Sequence, residues 1–109
     1  MDYTFEKEWG ETIERISKTF GEKLDYSAIL FLIGVQETGM LMRKFKKDEK
    51  LELMHVAICR LLEPFGYYSF KGNDEDGWPH FDKQDDLPVL TAPEQELLVK
   101  KAIVGYFRE

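Results

Sequence analysis

The sequence predicts a mainly α fold: a small four-helix domain with a central antiparallel helix pair and an irregular, β-hairpin-like loop between helices 3 and 4. Three observations carry the prediction. An amphipathic stripe opens the chain, two nearly all-apolar segments joined by a short basic turn fill its middle, and a capping signature starts a last helix after a turn-rich stretch. With 109 residues, the chain is long enough for one buried core and too short for two, so residues 1–109 are read as a single domain.

In the first helix, about residues 4–20, Phe5, Trp9, Ile13, Ile16 and Phe20 recur at steps of three and four and form one apolar face. Asp2 or Thr4 is the expected cap, and Gly21 the expected stop. Glu11 with Arg15 and Glu14 with Lys18 mark the solvent side at i,i+4 spacing.

The second helix, about 26–43, starts after the capping candidate Asp25 and is apolar nearly all round in its first half, which places it at the centre of the domain. The third, about 48–65 with Asp48 as its cap, has nine apolar residues among the twelve from Leu51 to Leu62. Its predicted inward sector is Leu51, Met54, Ile58, Leu61, Leu62 and Phe65, and Pro64 with Gly66 signals its end. The fourth, about 92–107, begins with Thr91 as cap, Pro93 in the first turn and Glu94 completing a capping box. Leu98, Ala102 and Tyr106, flanked by Leu97, Ile103 and Phe107, form its expected inner surface.

The acidic aromatic loop, residues 67–90, separates the last two helices. Tyr67 to Lys71 and Trp78 to Asp82 have the composition of short strands joined through Asn73 to Gly77, with Pro79 restricting the second to an edge. This loop also holds most of the charge. Of a formal net charge of -6, residues 73–86 contribute -5, from Asp74, Glu75, Asp76, Asp82, Asp85 and Asp86 against Lys83. A nucleic-acid partner needs a basic footprint that is missing here. The one basic cluster, Arg43, Lys44, Lys46, Lys47 and Lys50, lies where a helix is expected to end, and cations are favourable there.

The longest apolar run, Ala28 to Val35, is eight residues, far short of the roughly twenty that cross a bilayer. The opening residues have no signal-peptide pattern, and a single cysteine, Cys59, excludes an internal disulfide. Together these point to a cytoplasmic protein with no membrane partner.

Three constellations have chemical potential. Glu52 and His55 form a Glu-x-x-His unit with Cys59 one turn further on, half of the helix-borne set that holds di-iron or di-manganese in ferritin-like bundles. The other half has no counterpart, because the chain has only His55 and His80. Glu37 shares a helix face with Tyr26, Leu30, Ile33 and Leu41 and needs a partner if buried. With His55 it would form a general acid and base couple, and with Arg60 a structural ion pair.

Aligned on Gly77, the acidic loop offers Asp74 and Asp76 as calcium ligands but has Gly72 and Lys83 at the two end positions, so no calcium site is expected. No nucleophile elbow, phosphate loop or dinucleotide fingerprint occurs.

The expected function is therefore that of a small cytoplasmic protein-interaction or regulatory module, able to self-associate as a homodimer, that uses the acidic aromatic loop. Asp74, Asp76, Trp78, Pro79, His80 and Phe81 are the contact candidates. No cofactor is expected. The alternative is a small metal-dependent enzyme with Glu52 and His55 as transition-metal ligands, and Glu37, His55 and His80 as its candidate catalytic groups. The direction in which Trp78 faces separates a contact surface from a lid over the helices.

Overall fold

The computed structural model describes residues 3–40 and 44–108, and for Tyr3 the backbone alone. The chain forms helices α1 (Tyr3–Phe20), α2 (Tyr26–Thr38), α3 (Lys47–Leu62) and α4 (Ala92–Tyr106). A 3-10 turn, Glu63–Phe65, follows α3, and strands β1 (Tyr68–Asn73) and β2 (Pro79–Lys83) pair antiparallel between α3 and α4. The mainly helical fold and the hairpin between the third and fourth helices match the expectation from sequence.

Helix α2 starts at Asp25, whose carboxylate accepts the Ala28 amide at 2.9 Å, and it stops earlier than residue 43. Gly39 adopts φ 69 and its amide bonds the Gln36 carbonyl, a left-handed C-terminal cap that turns the chain out of the helix. The remainder of the expected extension, Leu41 to Arg43, lies outside the described residues, as does the capping candidate Asp2.

Helix α3 begins one residue before the expected cap. Lys46 is the N-cap residue, its amide bonded to the Glu49 carboxylate at 2.9 Å, so Asp48 falls inside the first turn. Pro64 removes an amide donor, and the helix tightens into the 3-10 turn that Gly66 closes at φ 87. In α4 the capping box forms as read: Thr91 Oγ1 accepts the Glu94 amide at 3.3 Å, and Glu94 accepts the Thr91 amide at 2.9 Å.

The main core unites Ile16 and Leu24 with Ile29, Leu30 and Ile33 of α2, Ala57, Leu61 and Leu62 of α3, and Val99 and Ile103 of α4. A second cluster joins Val35, Phe45 and Leu53, with Phe31, Met40 and Trp78 packed against it. Helices α2 and α3 share the most extensive contact of any pair. At their crossing Gly34 lies directly against the Leu53 backbone. A β-carbon there would stand 2.6 Å from the Leu53 carbonyl carbon and strike its oxygen.

Several predicted inward positions prove peripheral. Leu51 is 58% exposed, Phe65 46%, Phe20 52% and Leu97 46%. Leu61, Leu62 and Ile103 are buried as expected, but α3 also buries Leu53, Val56 and Ala57, and α4 buries Val99 and Val104. Helices this apolar do not define a single face, and the close crossing at Gly34 selects the one that packs. The predicted ion pair between Glu14 and Lys18 forms at 3.3 Å, whereas Glu11 lies 4.0 Å from Lys7, its neighbour one turn earlier.

Candidate functional site

The hairpin has two unlike sides, and its sequence explains why. Asp74 opens the turn, and its short carboxylate reaches the backbone ahead of it, as aspartates at such positions do. Its Oδ1 accepts the amides of Asp76 at 2.9 Å and Trp78 at 3.0 Å, while its own amide bonds the Trp78 carbonyl at 2.9 Å. Gly77 completes the turn at φ 86, a conformation that favours glycine. Oδ2 of Asp74 lies 2.8 Å from Nε2 of the exposed His80. That bond, followed by the Trp78 amide, holds the Asp74 carboxyl below the usual aspartate range.

Turned in this way, the residues after the bend face the helices. Pro79 is buried, and Trp78 is half-buried against the cluster of Val35, Phe45 and Leu53. Phe81 pairs across the ladder with Phe70, ring centroids 5.5 Å apart, next to a bulge between Phe70 and Gly72. The Arg60 guanidinium of α3 lies 4.8 Å from the Phe70 ring and 5.0 Å from the Phe81 ring. Cation and aromatic faces thus bind the hairpin to α3.

The carboxylates remain outside. Asp82 pairs with Lys71 at 3.5 Å across the strands. Glu75, Asp76, Asp85 and Asp86 are all exposed, and among the described residues none of them forms an ion pair. Of the six contact candidates, Asp76 and His80 are therefore on the surface, Asp74 organises the turn, and Trp78, Pro79 and Phe81 are anchors.

Glu37 takes the structural partner. Its Oε1 lies 2.8 Å from Arg60 Nε, and its Oε2 accepts the Tyr106 hydroxyl at 2.9 Å. The Nε–H points past the carboxylate, so the Arg60 contact is an ion pair without an aligned hydrogen bond. Arg60 also bonds Glu63 at 2.9 Å, and the second oxygen of Glu63 accepts the Phe70 amide at 3.1 Å. Burial, reinforced by the Glu37 bond, pushes the Tyr106 phenol up to about 12. This network of Tyr106, Glu37, Arg60 and Glu63 ties α2, α3, α4 and the hairpin together.

His55 does not join it. It is exposed, its ring stands edge-on to Tyr68 with centroids 6.4 Å apart, and its Nε2 lies 3.5 Å from Cys59 Sγ. Glu52 is exposed on the same helix. Burial pushes the Cys59 thiol up to about 11, leaving it protonated and a poor nucleophile at neutral pH. Among the described residues, no three His, Cys, Asp or Glu side chains cluster as a metal would need. His55 and His80 each engage a different neighbour, Cys59 and Asp74.

Beside the Arg60 network an apolar groove of about 410 Å³ runs between the 3-10 turn and α4, lined by Leu61, Pro64, Phe65, Ala102, Gly105 and Tyr106, with Glu37, Arg60 and Lys101 also bordering it. Sequence reasoning did not anticipate it, since it arises where Pro64 diverts the chain past α4. The partner roles of Tyr106 and Glu63 were equally unforeseen, because 69 residues separate Tyr106 from Glu37. No known family, curated protein or solved structure matches the chain. Among the described residues no helix is long and apolar enough to cross a membrane.

Proposed function

We propose that the protein is a small protein-interaction module that recognises a basic partner through the outer side of its hairpin and the segment that follows. The observation that carries this reading is the division of the loop. Trp78, Pro79 and the Arg60-stacked Phe81 fix its inner side to the helices, while Glu75, Asp76, Asp85 and Asp86 stand outside with no ion pair among the described residues. Unpaired carboxylates on an anchored frame attract a cationic surface and accelerate its encounter. Ordering them in advance also lowers the entropic cost of binding.

The division also decides which residues a test can change. Removing Trp78 or Asp74 would loosen the frame and confuse folding with recognition. The informative variant replaces Glu75, Asp76, Asp85 and Asp86 with their amides and leaves Asp74, Trp78 and His80 in place. Proteins captured from cell extract by the natural chain should be rich in basic surface and released by added salt, and they should be missing from the amide variant. An unchanged set of captured proteins would exclude the hairpin as the contact surface.

A further inference from the structure

The groove between the 3-10 turn and α4 lies outside the hairpin's acidic surface and has a different character. Its floor is small, formed by Ala102 and Gly105, and a β-carbon on Gly105 would meet nothing within 4 Å. Two large apolar side chains on this side of the molecule remain in water. Phe65, 46% exposed, is on the groove wall, and Leu97, also 46% exposed, lies on α4 one turn before Lys101 and so on the same helix face. Exposed apolar surface gathered around a hollow marks an interaction site.

We propose that this face joins two copies of the chain in a two-fold symmetric dimer. A two-fold contact requires one patch to complement itself, so a projection and a recess must lie together on the same surface. Phe65 and Leu97 supply the projection, and the hollow over Ala102 and Gly105 supplies the recess. Charge disfavours the hairpin as the contact and permits this face. The chain carries a net charge of -6, of which residues 73–86 hold -5, so contact through the hairpin would set two strongly negative segments against each other. Among the described residues, Arg60, Lys101 and Glu37 border the groove, and Glu63 joins them through Arg60, which pairs with both carboxylates, so two cations stand against two anions. Two copies can meet there without like-charge repulsion, and Lys101 of each can face a carboxylate of the other. The dimer would leave both hairpins available, which raises avidity for a partner with repeated basic sites.

Sedimentation velocity over a roughly hundredfold range of protein concentration tests the proposal, because a reversible dimer populates by mass action. The natural chain should shift from the mass of one chain towards that of two. Leu97→Glu and Gly105→Glu, each at a position with free space or solvent around it, should remain at the mass of one chain while keeping the natural circular dichroism spectrum and a single cooperative melting transition. A natural chain that stays monomeric throughout overturns the proposal. So does a dimer that survives both substitutions, which would have to form through another face, and so does association that continues beyond two copies.

Discussion

Replacing Gly34 with alanine is the sharpest test of the packing that positions everything else. In an ordinary helix interior the change is favourable by about 0.5–1 kcal/mol, since alanine has less backbone freedom to lose. Here the new methyl group would stand 2.6 Å from the carbonyl carbon of Leu53 and 3.0 Å from its Cβ, besides striking the carbonyl oxygen. Carbon atoms pack comfortably at about 3.5–4.0 Å, so α2 and α3 would have to separate by roughly an ångström. The obstacle is backbone, which cannot rotate away as a side-chain end could, and Leu53 and Ile33 around it are fully buried. Overpacking of this kind costs about 1–3 kcal/mol or more and exceeds the gain in helix propensity.

With the propensity gain subtracted, Gly34→Ala should be less stable by roughly 0.5–2 kcal/mol, a fall in melting temperature of about 4–8 °C for each kcal/mol in a domain of this size. Gly10→Ala in α1, where a β-carbon meets nothing within 4 Å, should be stabilising by about 0.5–1 kcal/mol and serves as the control. Urea and thermal unfolding followed by circular dichroism measure both. If Gly34→Ala matched or exceeded the natural chain, the close crossing would be wrong.

Arg60→Met should destabilise by about 1–3 kcal/mol, below the cost of breaking a fully buried pair because the side chains of Arg60 and Glu37 keep 28% and 22% of their exposure. Urea unfolding checks this, and restoration of stability by adding Glu37→Gln would identify the stranded carboxylate as the cause. The Asp74 carboxyl is held below the usual range, chiefly by His80, so the folded state binds its proton more weakly than the unfolded chain does. Its stabilisation is present above the ordinary aspartate value of about 3.9 and is lost as pH falls through the lowered value. The protection of the Asp76 and Trp78 amides, taken relative to the intrinsic exchange rate at each pH, should fall over that acid range, and at neutral pH in Asp74→Ala; unchanged protection in both cases would count against the turn described. The phenols of Tyr26 and Tyr106 are both pushed up to about 12, mainly by burial. They favour the folded state below the ordinary tyrosine value of about 10, and their contribution disappears as pH rises towards 12. An ultraviolet titration should show these two ionising after the others, in step with unfolding, and simultaneous ionisation of every tyrosine would contradict their burial.

The sequence made some features legible because a few adjacent residues determine them. Asp25, Thr91 with Glu94, and Gly21 act over a single turn, and each helix end that they mark lies where it was read. The hairpin was legible for the same reason, since Asp74 to Gly77 bend the chain through their own hydrogen bonds, although Asn73, read as part of the bend, pairs with Pro79 as the last residue of β1. The inward faces of α3 and α4 were harder to read. Both helices are apolar on several sides, and the choice of Leu53 over Leu51, or Val99 over Leu97, depends on the crossing at Gly34 and on the path imposed by Pro64.

The candidate site was half legible. Its charge and its aromatic content are plain in residues 73–86, but the separation of carboxylates from aromatics depends on Asp74 collecting two amides and on Arg60 lying beneath Phe70 and Phe81. The Glu37 to Arg60 pair was one of two partners consistent with helix spacing. Tyr106, the third member, came from a helix whose placement the sequence left open.

The proposed recognition assigns contact to the outward carboxylates, with the aromatics serving as their frame. Titrating a lysine- and arginine-rich peptide into the natural chain and into the variant bearing Glu75→Gln, Asp76→Asn, Asp85→Asn and Asp86→Asn, at low and at moderate salt, tests it most directly. The peptide should bind the natural chain with an affinity that falls steeply with salt, and should bind little to the variant, whose melting curve should be unchanged. Equal affinity for both chains, or binding insensitive to salt, would contradict it.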